Sequence, residues 1–368
     1  MKRMNFAFII ATLLAIGLPL LGVVVDGQSV RQYMEFPPLT VHVPHAGFSW
    51  LIFIGLAVFI LLCVVTFLWR VVSFSLRISS SPIHLVPVSF FPWWGWLGLI
   101  LGSVVWTLAW TRFEWFTSFQ QFTFSPLWFS YILVVNALTF RRTGRCMLIN
   151  RAGYFLRLFP LSAVFWWYFE YLNRFVQNWY YQGVEGLSPF HYFVFATLPF
   201  STVLPAVLGT YDLLKSFQRS SCGLEDFFRL DVKSPKSVAV VALVLFGFGL
   251  AGIGVWPDYL FPLLWISPLT IITSIQTICG RETIFSPIRS GNWQKIFLLA
   301  ISALVCGLFW EMWNYYSHAK WLYAVPFVGR FHIFEMPILG FAGYLPFGLE
   351  CAVIATLASG SDETKIRI

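Results

Sequence analysis

The sequence predicts an all-α integral membrane protein: a polytopic helix bundle of about ten spans, with two leading spans and two parallel four-span repeats. The chain is 58% hydrophobic and only 11% charged, whereas soluble domains carry about 25% charged residues. Apolar runs of about 20 residues recur along it, the length that a helix needs to cross a bilayer. The runs do not alternate polar and apolar residues, which argues against a membrane β-barrel.

Ten apolar runs are predicted to form the membrane spans. The first run is longer than the core of a signal peptide, and no Ala-x-Ala cleavage site closes it, so we expect a retained span. Only Pro257 and Asp258 separate the seventh run from the eighth, which predicts a tight helical hairpin. The predicted spans cover residues 5–25, 50–69, 92–110, 126–140, 154–172, 190–214, 237–256, 259–279, 296–315 and 331–357.

Short motifs recur about 141 residues apart and predict an internal repeat. Glu170-x-x-Asn173 is matched by Glu311-x-x-Asn314, and Trp179 is matched by Trp321. Repeated membrane units tend to build a site at their interface. The predicted regions are 1–91 with two leading spans and an outer loop, 92–214 as the first repeat, 237–357 as the second repeat and 358–368 as a cytoplasmic tail.

The basic residues predict the orientation of the chain. With the amino terminus in the cytoplasm, most Lys and Arg residues fall in cytoplasmic segments, as the positive-inside rule requires. An even number of spans then places the carboxyl terminus in the cytoplasm as well. The net charge of +8 is therefore a topology signal, and we expect membrane lipid as a partner and no nucleic acid. The oligomeric state is left open.

Four acidic side chains at predicted membrane depth are the candidate catalytic groups. Membrane carboxylates usually face a bundle interior and carry function. Glu170 shares a helix face with Asn173, and Glu311 shares one with Asn314, because residues three apart lie on the same side. If the two faces meet, one carboxyl would keep its proton and serve as a general acid. The second unit adds Glu335 and Glu350 as further acid–base candidates.

Aromatic residues near the ends of the spans are the candidate binding groups. Trp179, Trp321 and Tyr323, with His332, could line a cavity for an apolar ligand. Interfacial aromatic belts are the alternative explanation for the aromatic residues. A metal site built from histidines and glutamates is a weaker alternative. The sequence contains no phosphate-binding or dinucleotide-binding glycine pattern. We therefore expect neither a metal nor a cofactor.

Two stretches of the chain carry a family resemblance. The segment Phe165-Trp-Trp-Tyr-Phe-Glu170-Tyr-Leu-Asn173 resembles an uncharacterised family of bacterial polytopic membrane proteins, which implies the bacterial cytoplasmic (inner) membrane. More distantly, the second repeat resembles the lycopene cyclase domain of carotenoid biosynthesis, although the adjacent glutamate pair of that domain is absent. The matching residues are Trp310-Glu311, Asn314, Trp321-x-Tyr323, Glu335-x-Pro337 and Pro346 to Glu350.

Three functions remain compatible with the sequence. The first is a membrane enzyme that acts on an apolar isoprenoid or lipid. In it, Glu170 would stabilise developing positive charge and Asn173 and Asn314 would orient the reacting groups. The acid–base groups would be Glu311, Glu335 and Glu350. The second is a proton-coupled transporter or permease that uses the same carboxylates. The third is a structural or assembly subunit in which Glu–Asn pairs join helices as polar contacts.

Overall fold

The computed structural model describes residues 2–38, 41–77, 90–184, 186–217 and 219–359 and, for residues 2–7, the backbone alone. The predicted tail at 358–368 therefore lies almost wholly outside the described residues. Helices dominate the part that is described. They are α1 Lys2–Val25, α2 Arg31–Met34, α3 Trp50–Arg77, α4 Trp93–Trp110, α5 Phe124–Thr143, α6 Met147–Asn150, α7 Ala152–Val176, α8 Pro189–Phe200, α9 Val203–Lys215, α10 Pro235–Gly252, α11 Pro257–Leu260, α12 Ser267–Ile278, α13 Gln294–Tyr315 and α14 Tyr344–Ala355.

Short elements connect and extend these helices. Four strands form two antiparallel pairs, in which β1 pairs with β2 and β3 pairs with β4. The strands are β1 Trp179–Gln182, β2 Lys320–Tyr323, β3 His332–Ile333 and β4 Met336–Pro337, and the 3-10 segments are Glu114–Phe122, Phe261–Trp265, Ser286–Ser290, Ile338–Gly343 and Thr356–Ala358.

The prediction of an all-α chain whose helices can cross a membrane is confirmed. Among the described residues, seven helical segments are long and apolar enough, or up to nine if each of two bent pairs counts as one span. The bends are 67° between Glu114–Phe122 and α5, and 55° between Pro257–Trp265 and α12. The total of ten spans stays a prediction, because the segment predicted at 154–172 forms α7 but is not among these nine.

The last predicted span begins later than expected. Residues 331–357 were expected to form one broken helix, but helical structure begins at Ile338. The residues before it form the β3–β4 hairpin, in which Phe331 and Phe334 have φ values of 56° and 58°. Positive φ is rare for aromatic residues and cannot continue a right-handed helix, and Pro337 has no N–H to donate to one. The predicted boundary at residue 331 was therefore wrong.

The core is a layer of aromatic and aliphatic side chains between α5, α7, α9, α13 and α14. Trp128, Phe169 and Phe347 are fully buried within it. Helices α13 and α14 cross closely at Gly348, because a Cβ at that position would overlap the Leu299 carbonyl. Small residues at such crossings let helix backbones approach within a membrane. The crossing holds the carboxyl-terminal helix against the helix that carries Glu311.

An extended segment that follows α2 crosses the end of the bundle where β1 and β2 lie. His45 Nδ1 is 2.6 Å from Asp258 Oδ1, and its Nε2 is 3.2 Å from the Gln177 carbonyl oxygen. The backbone N–H of Ala46 donates to Asp258 Oδ2 at 2.8 Å. These bonds fasten the segment to the carboxyl-terminal end of α7 and to the amino-terminal end of α11.

Candidate functional site

A two-stranded sheet joins the two halves of the chain. Trp179 lies opposite Tyr323, Tyr180 opposite Leu322 and Tyr181 opposite Trp321. Successive side chains of a strand alternate between the two faces, and directly opposed residues share a face. Trp179, Tyr181, Trp321 and Tyr323 therefore lie on one face of the sheet, which is turned towards the bundle. The predicted binding residues Trp179, Trp321 and Tyr323 are brought together in this way.

The two asparagines of the Glu-x-x-Asn motifs hold the strands in the same manner. Asn173 Nδ2 donates to the Trp179 carbonyl at 2.8 Å, and its Oδ1 accepts from the N–H groups of Asn178 and Trp179 at 2.8 and 3.3 Å. Asn314 Nδ2 donates to the Trp321 carbonyl at 2.8 Å, and its Oδ1 accepts from the Trp321 N–H at 2.9 Å. Both carboxamides are thus occupied by backbone groups and position the strands.

The carboxyl group of Glu170 is surrounded by two indoles and one phenol. Its Oε1 accepts from Trp166 Nε1 and Trp179 Nε1, each at 3.1 Å, and from the Tyr181 hydroxyl at 2.5 Å. Glu170 is only 3% exposed. All three donors come from residues 166–181, so this cluster is built by α7 and the strand that follows it. We call it the first carboxyl cluster.

The carboxyl group of Glu311 is surrounded mainly by phenols. Its Oε1 accepts from the Tyr323 hydroxyl at 2.7 Å and from the Tyr344 hydroxyl at 2.8 Å. Trp321 Nε1 donates to the Tyr323 hydroxyl at 2.8 Å and so extends the chain of hydrogen bonds. Glu311 Oε2 is buried without a hydrogen-bond partner among the described residues. We call this the second carboxyl cluster.

A glycine makes room for one of these phenols. Gly307 lies one turn before Glu311 on α13, and a Cβ at that position would overlap the Tyr344 ring. In the first cluster the position one turn before the glutamate is Trp166, whose indole bonds Glu170 on the same helix. The side chain at this position therefore decides which donor reaches the carboxyl group.

The strand phenols act as proton donors in both clusters. Burial raises the pKa of Tyr181 and Tyr323 well above the usual value for a phenol, and the neighbouring glutamates raise it further. Both hydroxyls therefore keep their protons at neutral pH and donate them to the carboxyl oxygens. A phenol can donate and accept at the same atom, whereas an indole N–H can only donate.

An aromatic cavity lies between the two carboxyl clusters. Its volume of about 130 Å³ has room for about ten water-sized groups, since each needs roughly 10–15 Å³ on this measure. Donors from both clusters form its wall, together with side chains of α8 and of the segment before α14. Lys320 is the single charged residue among the described residues that line it. The aromatic residues of the wall include Trp166, Trp179, Trp265, Trp310, Trp321 and Tyr344.

Glu335 does not line this cavity, but it bonds Lys320, which does. Its Oε1 is 2.6 Å from Lys320 Nζ, and the two side chains are 22% and 24% exposed. The carboxylate is therefore part of an ion pair on a wall residue. The structure brings the predicted acid–base residue Glu335 close to the cavity, but as the partner of a lysine that the sequence analysis did not select.

Glu350 lies away from the cavity. Its Oε1 accepts the backbone N–H of Leu269 at 3.1 Å, in the first turn of α12. The first N–H groups of a helix have no partner within that helix, so a carboxylate from another helix can satisfy one of them. Glu350 is buried and is not among the residues that line the cavity. The structure thus gives this predicted catalytic residue a capping role instead.

His332 also differs from its predicted role. It lies in β3 opposite Pro337 and is exposed to solvent. It is not among the described residues of the cavity wall. The prediction placed it at the start of a membrane span, and the hairpin that replaces this part of the span turns it away from the predicted substrate site.

Sequence reasoning did not select four residues whose side chains bond the glutamates of the site. Tyr181 stands about 142 positions before Tyr323 and carried the same repeat signal as Trp179, so it could have been found. Trp166 lies one turn before Glu170 and so shares its helix face. Tyr344 and Lys320 gave no such signal, because their positions depend on the packing of α14 and on the pairing of β2.

The fold and the site together define a helical protein with helices long and apolar enough to cross a membrane, and with an aromatic cavity between two buried carboxyl clusters. The chain matches no family model, no curated protein and no solved structure. We therefore infer the function from the cavity and from the hydrogen bonds of its wall residues.

Proposed function

We propose that the protein is a membrane enzyme that acts on an apolar lipid or isoprenoid held in the aromatic cavity. The single observation that carries this proposal is the position of the cavity between Glu170 and Glu311, with the phenols bonded to both carboxyl groups in its wall. Ligand sites are typically apolar cavities with a few convergent polar groups, and this cavity has that composition.

The second carboxyl cluster supplies the acid–base group. Tyr323 and Tyr344 both line the cavity and both bond the same oxygen of Glu311. When a phenol turns its O–H from Glu311 towards a bound substrate, it can give that proton to the substrate while its oxygen accepts one from the protonated carboxyl group, and the reverse path returns it. Proton transfer by a positioned side chain contributes roughly 10²- to 10⁴-fold to rates.

The aromatic wall suits a reaction in which positive charge develops on the substrate. The faces of tryptophan and tyrosine rings attract cations, and the attraction grows when water is excluded. Trp166, Trp310 and Trp265 belong to this wall. Glu170, whose Oε1 is held by three donors, places a carboxyl group behind it. Protonation of an apolar double bond followed by loss of a proton fits this environment.

A structural role is the second candidate, and it is favoured by particular hydrogen bonds. Asn173 and Asn314 bind strand backbone, and Glu350 bonds the first turn of α12. These three residues are structural contacts between elements. The proposed reaction therefore uses only Glu311, Glu170 and the tyrosine hydroxyls that bond them.

The test compares lipid extracts from cells that express the wild type, Glu311→Gln and Asp212→Asn. Asp212 is a carboxylate near the end of α9 and does not line the cavity, so its variant controls for the removal of an acidic group from the bundle. Mass spectrometry of total lipids and of lipids bound to the purified protein measures the result.

We expect a specific apolar metabolite to change in amount or identity with Glu311→Gln and to be unchanged with Asp212→Asn. Glutamine keeps the shape and the acceptor oxygen but cannot exchange a proton in the same way. Identical extracts from all three strains, with normal expression of the protein, would contradict the enzyme proposal for the lipids of that host.

A further inference from the structure

Helix α8 forms a single layer between the aromatic cavity and the outer surface of the bundle. Residues three or four positions apart share one face of a helix. The face that lines the cavity carries Tyr192, Phe195, Ala196, Pro199 and Phe200, and the opposite, exposed face carries Phe190, Val194 and Leu198. Helices α8 and α9 together are long and apolar enough to cross a membrane. In a bilayer, the exposed face of α8 therefore contacts lipid chains.

Hydrogen bonds fasten one edge of α8 to α7. Trp167 Nε1 donates to Thr197 Oγ1 at 2.9 Å. Ser162 Oγ donates to the Phe200 carbonyl at 2.6 Å. The two bonds lie at the same edge of the cavity wall and fix the spacing between α8 and α7 there.

The other edge of α8 meets its neighbour through aromatic rings. Phe195 and Thr197 lie on different sides of the helix, because two residues turn it by about 200°. The Phe195 ring meets the Phe122 ring with the centroids 5.7 Å apart. Residues 114–124 supply the next part of the cavity wall at this contact, and in the described part of the chain no hydrogen bond joins them to α8. This seam can therefore open without the loss of a hydrogen bond.

Breaks in regular structure separate α8 from its neighbours at both ends. Gly183 and Gly186 precede it and have φ values of 76° and 83°, which a right-handed helix does not contain. Pro199 has no N–H for the last turn, and α9 begins at Val203. The buried side chains of α8 form a cluster apart from the main core, namely Tyr192, Ala196 and Phe200. Segments with few contacts to the core open more readily than the core itself.

We propose that α8 is a lateral gate through which an apolar substrate enters the cavity from the membrane, and that the contact between Phe122 and Phe195 closes it. This inference rests on the proposed function, because it names the route to the same cavity. An apolar lipid leaves the membrane for water only at a large cost in free energy. Passage beside a wall one helix thick brings it to the carboxyl clusters without that transfer. The gate opens when α8 turns about the edge that is bonded to α7.

The experiment closes the gate with a reversible cross-link in the full chain, reconstituted in phosphatidylcholine vesicles. Phe122→Cys and Phe195→Cys are combined, and a short bifunctional methanethiosulfonate joins them. Serine replaces the two exposed cysteines of the chain, Cys63 and Cys279. A long-chain alkane that carries a diazirine is then added to the vesicles. Photolabelling of the peptide that contains the wall residue Trp310 is followed over time by mass spectrometry.

We expect the cross-linked protein to lose labelling of the cavity peptide, down to the level of Ala196→Phe, which fills the cavity from α8. Reduction of the cross-link should restore the labelling. Val194→Cys combined with Leu198→Cys is the matched control, because both positions are exposed and lie four apart on the outer face. Its cross-link joins α8 to itself and should leave the labelling unchanged. Ala196→Leu replaces Ala196→Phe if the latter is not monodisperse.

Unchanged labelling after cross-linking would overturn the gate, and so would two cysteines that do not react with the linker. Phe195→Ala is an independent measurement, because removal of the ring should speed the labelling, and an unchanged rate would also count against the inference. The proposed function fails separately, if wild type is labelled no more than Ala196→Phe. Labelling that ignores the cross-link but is lost in Ala196→Phe keeps the proposed function and removes the gate.

Discussion

The first and second carboxyl clusters share one framework but differ in the donors that reach the carboxyl group. In both, an asparagine one turn after the glutamate binds the backbone of a strand tryptophan. The tyrosine two positions after that tryptophan donates its hydroxyl to the glutamate. Glu170 receives two indole N–H groups in addition, whereas Glu311 receives a second phenol from Tyr344.

The difference gives Glu311 two phenol contacts and Glu170 one. Indoles only donate, so of the three side chains that bond Glu170 only the Tyr181 phenol, which also lines the cavity, can pass a proton on. Tyr323 and Tyr344 can each donate and accept, and both line the cavity. Gly307 makes this difference possible, because a Cβ at that position would overlap the Tyr344 ring. A change at a position without any polar atom thus alters the chemistry available to a carboxyl group.

The largest expected effect comes from comparing Glu311→Gln with Glu170→Gln. Turnover of the lipid that responds to Glu311 should fall by roughly 10²- to 10⁴-fold in Glu311→Gln. In Glu170→Gln it should fall much less, because the amide oxygen still accepts the same indole and phenol donors. Quantitative mass spectrometry of product formation measures both rates. Equal losses in the two variants would show that the clusters act as one unit.

Gly307→Ala tests whether the glycine is required for the second cluster. The added Cβ overlaps the Tyr344 ring, so we expect the free energy of unfolding to fall by roughly 1–3 kcal/mol, as in other overpacked cores. Thermal unfolding in detergent measures the change. Gly55→Ala is the control, since a Cβ there meets nothing within 4 Å. A gain in stability at Gly307 equal to the gain at Gly55 would contradict the packing.

Asn173→Ala and Asn314→Ala test the shared framework. Each change leaves buried backbone groups of a strand without a partner, which costs about 1–3 kcal/mol. Because both asparagines bond the carbonyl and the N–H of a strand tryptophan, both variants should lose stability in the same thermal assay, and Asn173→Ala should lose slightly more because Asn173 also accepts from the Asn178 N–H. A large loss at one position and none at the other would show that the two strands are held in different ways.

The smallest effect is expected from single donors. Trp166→Phe and Tyr344→Phe each remove one hydrogen bond to a carboxyl oxygen, and such bonds average about 0.6 kcal/mol in membrane helices. Both variants should therefore unfold close to the wild-type temperature. Only Tyr344→Phe should reduce turnover, since only the phenol belongs to the proposed proton path. If turnover fell in Trp166→Phe and not in Tyr344→Phe, the first cluster rather than the second would be the one that transfers protons.

The sequence predicted those parts of the molecule that depend on local composition and helical spacing. Apolar length predicted the helices, and the spacing of three placed Glu170 beside Asn173 and Glu311 beside Asn314. Whether these faces shared a site could not be decided from spacing, since that depends on helix rotation. The two carboxyl groups are bonded by separate sets of donors on either side of a cavity. The internal repeat itself stays a prediction, as does the membrane in which the protein resides.

The parts that the sequence did not predict depend on contacts between distant segments. Four aromatic residues at the end of a span are typical of an interfacial belt, so neither β1 nor β2 was expected to be a strand. Glu350 lies in an apolar helix like Glu311, and only the packing of α14 against α12 brings it to a helix terminus. The positive φ values at Phe331 and Phe334 occur at residue types that rarely adopt them. Local patterns carry no signal for such features.

The pairing of β1 with β2 has a consequence for the time course of biosynthesis. Tyr180 and Leu322 are paired although 142 positions separate them, and ribosomes add about 5–20 residues per second. The first strand is therefore synthesised roughly seven to thirty seconds before its partner. During that interval Asn173, Trp179 and every donor to Glu170 have been synthesised. The first cluster is thus encoded wholly by the earlier half of the chain, whereas the sheet needs both halves.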